Sequence, residues 1–216
     1  MKRDLIVTKD GSHTLLISDL GETFHSRHGA IQESLHVYIE NGLKFINSSK
    51  IDVLEFGFGT GLNALLTYQY AKQNNITIKY ETIEAYPLTF DEFKFLNYDA
   101  FIKSNITLHQ LHHYPFNEII TIDDDFIFLK HHQKIQDFKT SNSFDIIYFD
   151  VFGYDYQPEL WSEEILTKAY NLLNSNGVLV TYACKSIVTK TLKKIGFTVK
   201  KLPGAPGKRE MTVAVK

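Results

Sequence analysis

The sequence predicts an α/β fold, in which one domain is built on a mostly parallel, seven-stranded sheet with helices on both faces. Strand and helix patterns alternate from Ile51 onward, as they do in parallel sheets. A glycine-rich segment, Glu55–Asn63, follows the first of these strands and opens a helix. The last two strands flank a turn at Pro203–Gly207, which predicts an antiparallel edge strand.

Two elements precede this sheet and form an N-terminal appendage, residues 1–48, to a core of residues 49–216. Leu5–Ile17 is predicted to form a β-hairpin, because two apolar runs flank the turn dipeptide Asp10-Gly11. Residues 28–47 place apolar side chains at helical spacing and predict an amphipathic helix. No repeat or low-complexity linker interrupts the chain, so residues 1–216 are predicted to form a single domain.

Each core element is predicted from an apolar run and the turn residues that bound it. The expected strands are Ile51–Phe56, Ile76–Ile83, Phe126–Leu129, Phe144–Phe149, Val178–Ala183, Phe197–Leu202 and Met211–Val215. The expected helices are Leu62–Lys72, Pro87 to about Asn97, Glu163–Leu173 and Ile187–Ile195.

The composition is that of an ordinary soluble globular protein, with 44% apolar and 22% charged residues and a formal net charge of −2. The lone cysteine, Cys184, excludes an intramolecular disulfide and a cysteine zinc cluster. No signal-peptide pattern follows the N-terminus, and no apolar stretch approaches the roughly 20 residues of a membrane span. We therefore expect a cytoplasmic protein with no membrane partner.

Two histidine pairs, His112-His113 and His131-His132, are the residues that most resemble metal ligands. Neighbouring residues of a strand point to opposite faces, so on a strand each pair offers a single ligand. No third ligand follows at a suitable spacing, and we expect no metal.

The charge is unevenly distributed along the chain. Between Lys185 and Lys216 there are nine lysines and arginines against a single acid, Glu210. Such a segment is typical of a nucleic-acid-binding face, and equally of the solvated surface of two amphipathic elements. The sequence leaves both interpretations open.

The glycine-rich segment reads EFGFGTGLN, with Gly57, Gly59 and Gly61 at alternate positions. Glycines let the backbone turn sharply and approach a ligand, and the carboxyl ends of parallel strands form the ligand crevice. A dinucleotide favours the spacing G-x-G-x-x-G, with its pyrophosphate at the helix N-terminus. Glu55 is badly placed for a diphosphate and well placed for the ammonium of a methionine moiety, which favours S-adenosylmethionine. Glu84 ends the next strand and suits both ligands, because both contain a ribose.

Asp150 ends the fourth core strand, at the same edge of the sheet as the glycine-rich segment. An amine must lose a proton when it is methylated, and a carboxylate beside the methyl donor can orient the amine and take that proton. The alternative is that Asp150 caps the following turn, a common role for aspartate. Spacing alone does not decide between these roles.

Three aromatic residues after Asp150 are candidates for a substrate pocket. Trp161 follows a proline-marked turn, where it could stack on a base or pack against the next helix as a core residue. Tyr154 and Tyr156 are loop residues that could line the pocket.

Several segments, taken in order, carry a family resemblance. They are EFGFGTGLN at 55–63, Glu84 with Pro87-Leu88, Asp150-Val151-Phe152 with QPELW at 157–161, GVLVTYA at 177–183 and GKREM at 207–211. Together they resemble the methyltransferase domain of the bacterial tRNA 5-methylaminomethyl-2-thiouridine biosynthesis enzymes. The resemblance covers nearly the whole chain, including residues 26–42, and implies a class I, Rossmann-like, S-adenosylmethionine-dependent methyltransferase.

In that family the domain methylates the terminal amine of 5-aminomethyl-2-thiouridine at the wobble position of tRNA. The domain is often fused to a flavin-dependent oxidase. This chain ends five residues after Met211, so it resembles the stand-alone form. The resemblance therefore implies tRNA as a partner and no FAD, and it leaves a separate oxidase partner open.

The resemblance also assigns residues. It implies that Asp150 contacts the amine, and that Lys208 and Arg209 hold RNA phosphate or order their loop. Where the family usually has Gly-Asp to meet the adenine amine, this chain has Lys130-His131, so we expect His131 or backbone groups in that role. The expected cofactor-binding residues are Glu55, Gly57, Phe58, Gly59, Thr60, Gly61, Asn63, Glu84, His131 and Asp150.

Three functions compete at this point. The first is an RNA-modifying N-methyltransferase. The second is a small-molecule enzyme on the same scaffold that methylates or aminopropylates an amine. The third is a non-catalytic RNA-binding module, which the combination of Glu55, Glu84 and Asp150 argues against, because a binding module has no need of all three.

Overall fold

The computed structural model describes residues 2–216. The first element is a small antiparallel sheet of β1 (Arg3–Val7), β2 (His13–Ile17) and β3 (Glu22–Thr23). Pairing of β1 with β2 confirms the predicted hairpin.

The helix predicted over residues 28–47 is shorter and less regular than expected. It begins as α1 (Ala30–Ser34), continues as a π-helical turn over Leu35–Glu40, and is followed by a 3₁₀ turn at Leu43–Phe45. A Cβ atom at Gly42 would lie 2.5 Å from the Tyr38 carbonyl oxygen, so the chain turns tightly against the π-helical turn. Short π-helical turns are frequent at functional sites.

The large sheet has eight strands rather than the predicted seven. They are β4 (Lys50–Phe56), β5 (Thr77–Glu84), β6 (Ile119–Asp123), β7 (Phe126–His132), β8 (Phe144–Phe149), β9 (Leu173–Thr181), β10 (Thr198–Pro203) and β11 (Glu210–Val215). Their order is β10-β11-β9-β8-β4-β5-β7-β6. The five strands from β9 to β7 run parallel, while β11 and β6 run antiparallel to their neighbours.

The additional strand is β6, which forms a hairpin with β7 across Asp124-Asp125. It is an edge strand whose residues are exposed or half-buried, and Ile119 is 67% exposed. Its apolar pattern is correspondingly weak, because an edge strand has little to bury.

Helices cover both faces of the sheet. They are α2 (Leu62–Asn74), α3 (Phe90–Phe93), α4 (Leu108–His113), α5 (Glu163–Leu172) and α6 (Ser186–Ile195). One apolar cluster includes Tyr80 and Tyr148 and lies under α2, and the other includes Phe56 and Phe149 and lies under α5 and α6. No helix within residues 2–216 has the length and apolarity to cross a bilayer.

Two expectations about the helices are wrong. The helix from Pro87 to Asn97 is reduced to α3, because the Asn97 side chain binds the β1–β2 hairpin and the chain turns to reach it. Its oxygen accepts from the His13 amide (2.8 Å) and its nitrogen donates to the Gly11 carbonyl (3.0 Å). The pair His112-His113 lies on α4 rather than on a strand.

Candidate active site

The glycine-rich loop follows the carboxyl end of β4 and is clamped between the ends of β5 and β8. The Gly57 amide donates to the Ile83 carbonyl (3.0 Å), and the Asp150 amide donates to the Phe56 carbonyl (3.1 Å). Gly57 has φ +93°, and a Cβ atom there would lie 2.5 Å from the Asp150 carbonyl oxygen. This close approach requires glycine.

Glu84 lies beside this loop at the end of β5. One of its carboxylate oxygens accepts from the Gly59 amide (2.9 Å) and the other from the Tyr86 amide (2.8 Å). The carboxylate is therefore fixed and half-buried, and each oxygen retains a lone pair for a further donor. A diol such as ribose fits this pair of acceptors.

Glu55 lies beneath the loop, completely buried. Its two oxygens accept from the Asn63 amide (3.0 Å) and the Thr82 hydroxyl (2.8 Å). Burial raises the pKa of the Glu55 carboxyl well above its usual range. Both oxygens are engaged inside the protein, so Glu55 acts on the site through Asn63.

Asn63 joins Glu55 to Asp150. Its side-chain nitrogen also donates to the Asp150 carboxylate at 2.7 Å, from the first turn of α2 to the end of β8. Burial, and then the charge of Glu33, raises the pKa of Asp150 to about 6, while the nearby Tyr38 hydroxyl and the hydrogen bond from Asn63 oppose the rise. The carboxylate thus faces the loop and α2 rather than capping the turn that follows it.

The segment before the sheet supplies a wall of the site that the sequence did not predict. Phe24 lies over Gly59, with its ring 3.2 Å from the position of a Cβ atom there, and packs edge-to-face on Phe152 at 5.0 Å. His25 Nε2 lies 2.7 Å from the Thr60 hydroxyl, and burial lowers the pKa of His25 to about 4, so the ring is neutral.

Tyr38 and Glu33 complete this wall, and both side chains are buried. Tyr38 lies on the π-helical turn and packs on Tyr148 at 5.1 Å between ring centroids. Tyr38 belongs to the helical apolar pattern of residues 28–47, but that pattern does not indicate that Tyr38 and Glu33 lie beside Asp150. The only signal was the inclusion of residues 26–42 in the family resemblance.

Lys208 orders the loop between β10 and β11. Its ammonium forms an ion pair with Glu33 (2.5 Å) and lies 3.8 Å from the centre of the Tyr182 ring. The same loop meets the N-terminal segment at His36, whose Nε2 lies 2.8 Å from the Pro203 carbonyl oxygen. Arg209 is exposed. Of the two roles expected for Lys208, loop ordering is the one that these contacts provide.

His131 and Lys130, which stand where the family pattern has Gly-Asp, lie on β7. His131 Nε2 lies 2.8 Å from the Glu81 carboxylate, and the ring packs on Phe138 at 4.9 Å. Lys130 is 1% exposed and donates to the Leu111 and His112 carbonyls, both at 2.8 Å. Lys130 therefore binds the end of α4, whose His112 lies 3.0 Å from the Thr60 carbonyl oxygen.

The three aromatic candidates have different positions. Trp161 is 3% exposed, donates to the Phe152 carbonyl (2.8 Å) and packs on Phe149 at 4.8 Å, so base stacking is wrong and core packing is confirmed. Tyr154 packs against the cluster under α5 and α6, and Tyr156 is 40% exposed.

Several cations of the C-terminal segment are held by acids. The pairs are Lys185–Asp155, Lys194–Glu163, Lys201–Glu210 and Lys208–Glu33. Within residues 2–216, no group of three histidine, cysteine, aspartate or glutamate side chains is arranged to hold a metal ion.

Comparison with known families decides the class of this protein. The model of an S-adenosyl-L-methionine-dependent methyltransferase family matches residues 98–216. The chain belongs to this family. This methyltransferase is therefore an enzyme that uses S-adenosylmethionine, on the α/β fold that the sequence predicted.

Curated relatives agree with this assignment. The methyltransferase is 32% identical, over 171 residues, to the tRNA 5-methylaminomethyl-2-thiouridine biosynthesis bifunctional protein MnmC of Campylobacter hominis, a match of 76% of this chain and 25% of the relative. It is 27% identical to the Cupriavidus necator protein of the same name, over 89% of this chain and 31% of the relative. The chain thus spans about a quarter to a third of these relatives.

Solved structures extend the match to almost the whole chain. MnmC2 from Aquifex aeolicus superimposes with a TM-score of 0.80 at 25% identity, over 99% of this chain and 69% of that one. The spermidine synthase of Thermotoga maritima, at 15% identity and a TM-score of 0.64, covers the same shares and shows the fold alone. The family resemblance expected from the sequence motifs is confirmed.

Proposed function

We propose that this methyltransferase transfers a methyl group from S-adenosylmethionine to a primary amine on tRNA, with 5-aminomethyl-2-thiouridine at the wobble position as the acceptor. The observation that carries the proposal is the Asp150 carboxylate, held by Asn63 beside the glycine-rich loop. The names of the MnmC relatives support tRNA as the carrier of the amine.

The described residues fit the cofactor. Glu84 offers two fixed acceptors for the ribose hydroxyls, and Gly57 and Gly59 leave room for close approach of a ligand to the loop. Asn63 and Asp150 lie at the other end of the loop. When bound there, S-adenosylmethionine supplies an electrophilic methyl group.

Asp150 performs the acid–base part of the reaction. At neutral pH a carboxyl group with a pKa of about 6 is mostly ionised. It accepts a hydrogen bond from the acceptor amine, orients the nitrogen lone pair, and takes the proton that the nitrogen loses. A base with a pKa just below the working pH combines a populated ionised form with useful basicity.

The C-terminal segment provides the proposed contact with RNA. Arg209 is exposed beside the loop that Lys208 fixes, so its guanidinium is available for a phosphate. Four of the eight lysines of this segment are already paired with acids, so we propose only a small number of phosphate contacts and a modest dependence of binding on salt.

The test is transfer of labelled methyl groups to tRNA that carries 5-aminomethyl-2-thiouridine. The wild-type protein and Asp155→Ala, an exposed aspartate paired with Lys185, should label the RNA equally. Asp150→Ala should bind the cofactor normally and lose at least a hundredfold in turnover. If the wild-type protein binds S-adenosylmethionine and labels a small amine but not the RNA, the acceptor is a small molecule and the proposal fails.

A further inference from the structure

The Tyr38 hydroxyl is a buried polar group without a partner. The residue is 1% exposed, and none of the described residues gives this hydroxyl a hydrogen bond. A buried hydroxyl that lacks a hydrogen bond costs folding free energy, so its retention calls for an explanation. Burial, and then the charge of neighbouring Asp150, hold the pKa of Tyr38 well above its usual range, so the group stays protonated.

A second unpartnered oxygen lies in the same place. The Asn63 side chain is 2% exposed and uses its nitrogen to bind Glu55 and Asp150, yet its oxygen meets no donor from residues 2–216. An amide oxygen can only accept, so a hydrogen-bond donor must satisfy it. Both unpartnered groups adjoin the Asp150 carboxylate.

The charges around these oxygens select the kind of donor. Glu33 and Asp150 lie near the position, and the cation that acts on Asp150, Lys208, is already paired with Glu33. A phosphate or carboxylate would be repelled here, and a cation is attracted. An alkylammonium group has three N–H donors, which match three acceptor groups.

We infer that the Tyr38 hydroxyl, the Asn63 side-chain oxygen and the Asp150 carboxylate form a pocket for a primary alkylammonium group, which Tyr38 and Asn63 position against Asp150. The inference rests on the proposed function, in which Asp150 takes one proton from the bound ammonium and so frees the nitrogen lone pair that accepts the methyl group. Two sources supply this chemistry: the amine of the acceptor, and the α-ammonium of the cofactor.

Tyr38→Phe tests the pocket, because it removes the hydroxyl and keeps the ring that packs on Tyr148. The readout is the dissociation constant of two ligand pairs by calorimetry. One pair is 5-aminomethyluridine and 5-methyluridine, each with saturating S-adenosylhomocysteine. The other is S-adenosylhomocysteine and 5′-methylthioadenosine, which lacks the amino-acid end. Within each pair only one ligand carries the ammonium.

We expect Tyr38→Phe to weaken the binding of 5-aminomethyluridine about tenfold relative to the binding of 5-methyluridine. Loss of a hydrogen bond to a charged group implies this change. If Tyr38→Phe instead weakens only the binding of S-adenosylhomocysteine, by tenfold relative to 5′-methylthioadenosine, the pocket is supported and its ammonium comes from the cofactor. If the ratio of dissociation constants within each ligand pair equals that of the wild type, the inference is overturned. The matched control is Tyr68→Phe. The Tyr68 hydroxyl donates to Asp123 far from the site, so this variant should leave every dissociation constant unchanged.

These outcomes are separable from the proposed function. The constants do not depend on turnover, so they decide the pocket even when no tRNA is methylated. Tyr38→Phe removes a buried unpartnered group and should be at least as stable as the wild type. A fall in its melting temperature would contradict the absence of a partner for the hydroxyl and would also overturn the inference.

Discussion

The ammonium of Lys208 lies 2.5 Å from the carboxylate of Glu33, so a loop between the last two strands is tied to the helix that precedes the sheet. The two side chains are 32% and 6% exposed. The Glu33 carboxylate also accepts the Ser26 amide at 2.7 Å, which fixes it in place. The pair therefore stabilises the wall of the active site that the N-terminal segment provides.

Lys208→Met should lower the free energy of unfolding by about 1–3 kcal/mol, because it leaves the Glu33 carboxylate buried without its cation. The double variant Lys208→Met with Glu33→Gln should lose less unfolding free energy than the sum of the losses in the two single variants. The expected coupling energy is about 1–2 kcal/mol. Urea unfolding measures all three. Arg209→Met is the exposed control and should leave stability unchanged. Strict additivity would mean that the ion pair between Lys208 and Glu33 contributes nothing to stability.

Asp150→Asn should stabilise the protein at neutral pH while it removes activity. The folded pKa of Asp150, about 6, lies above the usual 3.8, so between these values the folded state holds more protons and its stability falls as the pH rises. The variant should therefore gain about 1–3 kcal/mol over the wild type at pH 7.5. Near pH 3.5 the gain should vanish. Equal stability of the two proteins at every pH would show that the carboxylate is well solvated.

Lys130→Met should change how stability depends on alkaline pH. Burial lowers the pKa of Lys130 to about 8, against 10.5 when exposed, so between these values the unfolded chain holds the extra proton and wild-type stability rises with pH. Relative to the variant, the wild type should gain up to about 3 kcal/mol between pH 8 and pH 10.5. Urea unfolding at both pH values gives the difference. A constant difference would mean that the ammonium stays charged in the fold.

Gly57→Ala should abolish cofactor binding. The added Cβ atom would lie 2.5 Å from the Asp150 carbonyl oxygen, at φ +93°. Gly21→Ala is the matched control, because Gly21 has φ +68° and nothing lies within 4 Å of its added Cβ atom. That variant should lose only about 1 kcal/mol of stability and bind S-adenosylhomocysteine normally. Equal binding by the two variants would refute the close approach at Gly57.

The parts that the sequence predicted well are those specified by local pattern. The strands around Glu55–Asn63 are short apolar runs, and the glycine spacing sets the loop between β4 and α2. Because the carboxyl ends of parallel strands share one edge, Glu84 and Asp150 were expected beside that loop, and both lie there.

What the sequence missed depends on contacts between distant segments. Tyr38 lies beside Asp150 on a π-helical turn, which has no composition signal. The sequence left the role of Trp161 open, since an aromatic side chain near a crevice has the same pattern whether it binds a ligand or packs in the core. Its buried contact with Phe149 decided between them.

The bond between Glu33 and Lys208 also has a consequence for synthesis of the chain. Glu33 is translated long before Lys208, so the N-terminal segment emerges from the ribosome before its partner exists. Contacts of such long sequence separation form late in folding. The wall of the active site that this ion pair fixes is therefore incomplete until Lys208 has been translated and has paired with Glu33.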